Sequence, residues 1–128
     1  MNPAAEGTVY PAVRFEVGEA AVASFRTVFG QADGVPPTFA TVAEFLAFPQ
    51  AIGDPALDLD FTRVLHASQE YLHHRPMREG EVLSATVRIE SARVRAGNGF
   101  VTLVTEITDE EGLPVCTARA SLVERGTA

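Results

Sequence analysis

Apolar and polar residues alternate with a period of two along most of the second half of the chain. This alternation is typical of β-strands that bury one face. Four such stretches occur, at residues 63–74, 82–95, 100–108 and 114–124. Turn-forming residues separate them, and Asn98-Gly99 stands where a tight hairpin requires positive φ. On the last three strands we expect the buried positions to be Leu83, Ala85, Val87, Ile89, Val101, Leu103, Thr105, Ile107, Cys116, Ala118, Ala120 and Leu122.

The first half of the chain mixes a strand with a helix. Residues 8–17 alternate and contain β-forming residues, but Pro11 predicts an edge position or a bulge there. A helical period then begins near Glu19 and ends at Gly30. One face of this helix is expected to carry Val22, Phe25, Val28 and Phe29.

A second, very apolar helix is predicted directly after Pro36-Pro37, which cannot lie inside a helix themselves. Thr41 and Glu44 have the spacing of a capping box. Its apolarity suggests that the sheet wraps around this helix. The side expected to be buried carries Phe39, Val42, Phe45, Leu46 and Pro49.

A long antiparallel sheet curled around one apolar helix is the α+β hotdog architecture, which we expect as a single domain over residues 1–128. A strand of fourteen residues spans roughly 45 Å, long enough to curve around a helix. Small inward residues at Ala85, Ala118 and Ala120 allow the helix to approach the sheet. Because free sheet edges are normally covered, we expect at least a dimer.

Composition and charge exclude several classes of partner and of chemistry. The chain has 128 residues, one cysteine and a net charge of −7, which disfavours nucleic acid or an anionic membrane as a partner. All ten basic residues are arginine, so lysine Schiff-base chemistry is excluded. No apolar run has the length of a membrane span, and no signal peptide is visible, which together predict a cytoplasmic protein.

Three stretches resemble one family: PPTFATV at 36–42, VLHASQEYLHHRPMREGEVL at 64–83 and DEEGLPVCTARASLVERG at 109–126. They are similar to the MaoC-like N-terminal, or FAS1-like, dehydratase domain, and within it to single-hotdog subunits of (R)-3-hydroxyacyl-thioester dehydratases. The resemblance implies an acyl thioester on acyl carrier protein (ACP) or CoA as substrate. It also implies a homodimer or a heterodimer with another hotdog subunit.

Dehydration of such a thioester needs a base for the C2 proton, an acid for the leaving hydroxyl and donors to the carbonyl. In related hydratases an Asp and a His five positions later supply the first two, just before the central helix. No aspartate in this chain is followed at that spacing by histidine. The resemblance therefore implies a subunit that shapes the acyl channel while a partner carries the catalytic pair. Donors to the carbonyl are expected at the start of the central helix, near Thr38–Thr41.

All three histidines lie between positions 66 and 74. Simple alternation places His66 and Glu70 on one strand face, which makes them a candidate acid/base pair. The favoured interpretation is that His66 bonds buried backbone groups or makes a dimer contact. His73 and His74 point to opposite faces, so no metal site is expected, and no cofactor is implied.

The remaining candidates bind substrate or suggest another reaction. Glu44 on the central helix could activate water in a hotdog thioesterase, although its capping-box spacing offers a structural explanation. Arg75 and Arg78 are candidates for the carrier phosphate. Acyl-chain contacts are expected from Pro37, Thr38, Phe39, Val42, Phe45 and Leu46. A non-catalytic acyl-thioester binding protein with the same fold remains a further alternative.

Overall fold

The computed structural model describes residues 1–29 and 34–126, with the backbone alone at Phe29. Within these residues there are two α-helices, α1 at Glu19–Phe29 and α2 at Ala40–Ile52. The strands are β1 Val13–Glu16, β2 Val64–His73, β3 Val82–Arg95, β4 Asn98–Thr108 and β5 Pro114–Glu124. Gly30, the predicted end of α1, lies outside the described residues. Neither helix is long and apolar enough to cross a membrane.

The five strands form one antiparallel sheet in the order β1-β3-β4-β5-β2. Within the described residues, β1 pairs only with β3 and β2 only with β5, so these two strands are its edges. The predicted bounds of the three C-terminal strands agree with the structure to within two residues. Every position predicted to face inward on β3, β4 and β5 is buried.

Helix α2 packs on the inner face of the sheet, but through a different side from the one predicted. Its buried side is mostly alanine and consists of Ala40, Ala43, Glu44, Ala47, Phe48 and Ala51. Phe45 and Leu46 are 51% and 46% exposed, so the prediction that they are buried is wrong. Small side chains on both surfaces let the helix backbone lie close to the sheet, which larger residues at those positions would prevent.

The capping box predicted for Thr41 and Glu44 is absent. A single 3-10 turn at Pro37–Phe39 leads directly into α2, and the N-cap residue Phe39 has helical φ and ψ with no side-chain cap. Because that turn lengthens the helix by three residues, Thr41 and Glu44 lie inside it. Their side chains are therefore free to contact the sheet.

The bounds of the first strand and the position of the β3–β4 turn differ from those predicted. The N-terminal segment follows β3 from Thr8 onward but is interrupted at Pro11, so that only Val13–Glu16 is a strand and Val9 forms an isolated bridge to Arg88. The β3–β4 hairpin turns at Ala96 and Gly97, whose φ angles are 51° and 79°, and not at Asn98-Gly99. Asn98 instead begins β4, opposite Arg95.

Strand β2 contains a β-bulge that the alternating pattern does not reveal. His66 pairs with Leu122 of β5, whereas Ser68 pairs with Ser121, so Ala67 is an extra residue. A bulge of this kind reverses the inward and outward positions on one side of it. His66 therefore lies on the same face as Gln69 and Tyr71.

Candidate functional site

A cluster of hydrogen-bonded polar side chains lies between the start of α2 and the inner face of β2. Glu44 is completely buried at its centre. Gln69 Nε2 donates to Glu44 Oε2 at 2.8 Å, and the Tyr71 hydroxyl donates to Glu44 Oε1 at 3.0 Å. The hydroxyls of Tyr71 and Thr41 lie 2.6 Å apart and share a hydrogen bond. We call Thr41, Glu44, Gln69 and Tyr71 the polar cluster.

Burial dominates the acid-base behaviour of this cluster. Loss of solvation raises the pKa of Glu44, while the bonds from Gln69 and Tyr71 and the nearby His66 imidazole oppose that rise. Burial likewise raises the pKa of Tyr71 to about 12 and that of the Cys116 thiol to about 11, and the Glu44 carboxylate adds to both shifts. All three pKa shifts are toward the protonated form, because burial penalises the charged one.

An apolar cavity of about 570 Å³ adjoins the C-terminal half of α2. Its other walls come from the 3-10 turn at Phe61–Arg63, the start of β2 and the end of β5. The lining residues are Phe45, Phe48, Pro49, Ile52, Gly53, Phe61, Val64, His66 and Leu122. Apart from His66, none of these side chains can form a hydrogen bond. Concave and apolar with one polar group, the cavity has the character of a small-molecule site.

The bulge at Ala67 separates the two members of the predicted acid/base pair. His66 lines the cavity on the inner face, whereas Glu70 pairs with Arg119 in the register of β5 and faces outward. The expectation that His66 and Glu70 share a face is therefore wrong. His66 is exposed and forms no hydrogen bond with the residues that the structure describes, so it does not satisfy buried backbone groups.

The predicted acyl-chain residues are distributed over three different environments. Pro37 and Thr38 are exposed in the turn before α2, whereas Phe39 is buried and packs edge-on against Phe25 with ring centroids 5.4 Å apart. The backbone N–H groups of Phe39 and Ala40 donate within this turn and are not free for a ligand. The other three positions, Val42, Phe45 and Leu46, are half-buried or exposed, and Phe45 alone among the six lines the cavity.

The two arginines predicted to meet a carrier phosphate differ in their contacts. Arg75 forms two hydrogen bonds with Glu81, at 2.6 and 3.0 Å, and lies 3.5 Å from Asp109. A phosphate there would have to displace two carboxylates. Arg78 is exposed, and its guanidinium has no ion-pair partner within the described ranges.

Several residues of this region cannot be identified from sequence patterns. Gln69 and Tyr71 alternate correctly for one strand face, but nothing in the pattern places that face against Glu44. Four cavity residues, Phe48, Ile52, Phe61 and Val64, lie in a helix end, a turn and a strand start that only the tertiary structure brings together. Across residues 1–29 and 34–126, no group of three Asp, Glu, His or Cys residues is arranged to hold a metal ion.

The family model for the "FAS1-like, dehydratase domain region" matches residues 31–118. The chain belongs to this family. The resemblance drawn from the three sequence motifs is thereby confirmed. The match includes β2, β3, β4 and α2, and thus both the polar cluster and most of the cavity wall.

Curated relatives of this FAS1-like dehydratase domain are named UPF0336 proteins. One from Saccharopolyspora erythraea is 48% identical over 73% of this chain and 60% of its own length. One from Streptomyces avermitilis is 43% identical over 75% of this chain and 65% of its own length. Another from Streptomyces coelicolor is 34% identical over 90% of this chain and 88% of its own length. The chain thus spans less than two thirds of the first two relatives.

Solved structures with the same fold include named hydratases and dehydratases. A HadBC (3R-hydroxyacyl-ACP dehydratase) complex from Mycobacterium tuberculosis has a TM-score of 0.78 at 21% identity, covering 93% of this chain and 96% of that chain. An (R)-hydratase from A. caviae has a TM-score of 0.65 at 20% identity, covering 91% and 94%. These similarities confirm the hotdog fold for this member of the FAS1-like dehydratase family.

Proposed function

We propose that this chain is the acyl-binding subunit of an (R)-3-hydroxyacyl-thioester dehydratase or enoyl hydratase in fatty-acid or polyketide metabolism. In this assignment it holds the acyl chain of an ACP or CoA thioester. A partner hotdog subunit supplies the Asp/His pair. The observation that carries the proposal is the apolar cavity of about 570 Å³ in a chain without that pair.

The sequence before α2 supports the proposal that a partner subunit supplies the catalytic pair while this chain binds the acyl group. The carboxylate in this part of the sequence, Asp33, is followed five positions later by Thr38 and not by a histidine, so the sequence before α2 does not contain the Asp/His pair. The cavity provides no catalytic pair either, since His66 is its one titratable group. Its apolar wall would instead hold the hydrocarbon part of a substrate by removing it from water.

The free edge at β2 supports a partner subunit. Leu65 and Leu72 on this edge strand are 51% and 62% exposed, and the outer side of α2 exposes Phe45 and Leu46. An edge strand flanked by apolar side chains is a natural site for pairing with another sheet. Light scattering would measure the mass of the chain alone and with a dyad-bearing hotdog subunit of the same organism. We expect a twofold mass in at least one of the two samples.

Enzyme assays test the proposed reaction. The purified chain is mixed with crotonyl-CoA, and hydration is followed by the loss of enoyl absorbance. We expect no turnover by the chain alone and clear turnover after the dyad-bearing subunit is added. Hydration by the chain alone would contradict the division of labour. Acyl binding without turnover in either sample would favour the non-catalytic binding protein.

A cavity-filling variant tests the acyl site. Ile52→Trp adds volume inside the cavity, whereas Leu113→Trp adds the same side chain at an exposed turn position. Calorimetry with dodecanoyl-CoA should show binding to wild type and Leu113→Trp, and binding weakened at least roughly tenfold in Ile52→Trp. Equal affinities in all three would remove the cavity as the acyl site.

The geometry gives no support to a thioesterase that uses Glu44. Its carboxylate is fully buried, both oxygens accept hydrogen bonds, and it does not line the cavity. A general base must reach the water that it activates. Hydrolysis of acyl-CoA by wild type that Glu44→Gln abolishes would nevertheless establish this alternative.

A further inference from the structure

His66 is the one hydrogen-bonding side chain in a wall that is otherwise apolar. The Ala67 bulge turns this imidazole inward, where it joins eight side chains or backbone segments without polar side-chain atoms. With strict alternation from Gln69, His66 would point outward and the cavity wall would be wholly apolar. The bulge therefore changes the chemistry of the cavity at one point.

The ring nitrogens of His66 also lack a hydrogen-bond partner among the described residues, and the ring makes no aromatic contact there, in contrast to the rings of His73 and His74. His73 stacks on the Tyr71 ring at 6.1 Å, and His74 Nε2 lies 3.1 Å from Thr117 Oγ1. Within the parts of the chain that the structure describes, His66 has no hydrogen bond and no ion pair. The nearby Glu44 carboxylate already accepts bonds from Gln69 and Tyr71. Ring nitrogens of His66 are therefore available to a ligand.

An acyl chain that enters the cavity changes the solvation of this imidazole. In the open cavity His66 is exposed, so water can bond both ring nitrogens. A plain alkyl chain displaces that water and offers no replacement, which leaves a buried polar group unpaired. A chain with an oxygen at that point restores the hydrogen bond while filling the same space.

An acyl-chain oxygen that bonds His66 would have to lie in the tail of the acyl chain, away from the thioester. The thioester and the carrier arm are polar, and the remaining eight lining residues offer no side-chain donor or acceptor to them. They are therefore expected to stay outside the cavity, and with them the carbons next to the thioester.

We propose that the cavity selects acyl chains that carry a hydroxyl or keto oxygen in the tail, and that His66 determines this specificity. The inference rests on the proposed acyl-binding function and adds the substrate class. A ligand's oxygen bonds a ring nitrogen of His66, and the hydrocarbon on either side contacts the aromatic and aliphatic wall.

A positional series of ligands tests the proposal. Dodecanoyl-CoA is compared by calorimetry with 3-hydroxydodecanoyl-CoA and with isomers whose hydroxyl is moved stepwise toward the far end. We expect at least one tail isomer to bind about three- to tenfold more tightly than dodecanoyl-CoA, the gain of one hydrogen bond. The 3-hydroxy isomer should gain less.

Three variants connect the preference to the imidazole. His66→Leu should lose the preference and bind dodecanoyl-CoA at least as well as wild type, whereas His66→Asn should keep part of the preference. His74→Leu, which changes a histidine outside the cavity, should behave as wild type.

Two kinds of result would overturn the inference. Binding of dodecanoyl-CoA with no tail preference, with a preference only for the 3-hydroxy isomer, or with a preference that survives His66→Leu would refute the role of His66 and leave the acyl site intact. Failure of every ligand to bind would remove the acyl site and the inference together.

Discussion

The two halves of α2 lie beside the same strand, β2, but the side chains between helix and strand are polar at one end and apolar at the other. Near its start, the helix contributes Thr41 and Glu44 to the polar cluster, where the Glu44 oxygens accept hydrogen bonds from β2. Near its end, it lines an apolar cavity in which His66 has no hydrogen-bond partner within the described residues. A buried polar group bonded within the protein supports the fold, whereas one exposed in an apolar cavity is available to a ligand.

The largest effect should follow removal of the carboxylate at the centre of the polar cluster. Glu44→Ala leaves Gln69 Nε2 and the Tyr71 hydroxyl without their acceptor in a buried place, and it opens a void. We expect a loss of about 2–3 kcal/mol in the free energy of unfolding, measured by urea titration.

Glu70→Ala is the matched control, since Glu70 is an exposed glutamate on the outer face of β2. Its effect should stay within about 0.5 kcal/mol. If Glu44→Ala proves no more costly than Glu70→Ala, the polar cluster does not stabilise the fold, and the contrast between the two halves of α2 fails.

A smaller loss is expected for Tyr71→Phe. This change removes only the hydroxyl, so Glu44 Oε1 and the Thr41 hydroxyl lose a partner while the ring remains. We expect about 1 kcal/mol by urea titration. In the Tyr71→Phe, Glu44→Ala double variant, the two losses should sum to more than the combined loss, because both changes remove the same hydrogen bond.

The raised pKa of Glu44 predicts how stability depends on pH. Because folding favours the protonated carboxyl, its contribution is present below the ordinary pKa of glutamate and is lost as pH rises through the raised value. Glu44→Gln stays neutral throughout. Its stability relative to wild type should therefore increase with pH over that interval and become constant above it.

The chemistry of the neighbouring side chain predicts an additional gain in stability for Glu44→Gln that does not depend on pH. Gln69 Oε1 is buried and accepts no hydrogen bond from the described residues. A glutamine amide at position 44 can donate to that oxygen after a rotation of Gln69. Urea titrations of both proteins at several pH values measure the difference. If the stability of Glu44→Gln relative to wild type decreased with rising pH, the buried carboxyl would be stabilised in its charged form.

Most of the sheet can be predicted from the sequence because alternation holds along each stretch of a half-buried strand between bulges. The inward positions of β3, β4 and β5 are correct for that reason. The buried side of α2 is not predictable in the same way, since apolar residues surround most of this helix. Aromatic residues suggest a core, yet the alanines lie against the sheet because they allow the closest approach.

The candidate site depends on two features that local patterns do not encode. The bulge at Ala67 has no glycine to mark it, so alternation assigns His66 to the wrong face. The spacing of Thr41 and Glu44 matches a capping box by coincidence, because the 3-10 turn moves the helix start upstream. The bulge is visible only in the pairing of β2 with β5, and the start of α2 only in the 3-10 turn before it, and a period read along one segment includes neither.

The smallest expected effect concerns His66 itself. If this imidazole serves a ligand and not the fold, His66→Leu should change the free energy of unfolding by no more than about 0.5 kcal/mol. The exposed ring has no hydrogen bond to lose within the described residues, and leucine suits the apolar wall around it. A loss of the size expected for Glu44→Ala would instead make His66 part of the scaffold. The side chains at both ends of α2 would then stabilise the fold, and the two ends would differ only in polarity.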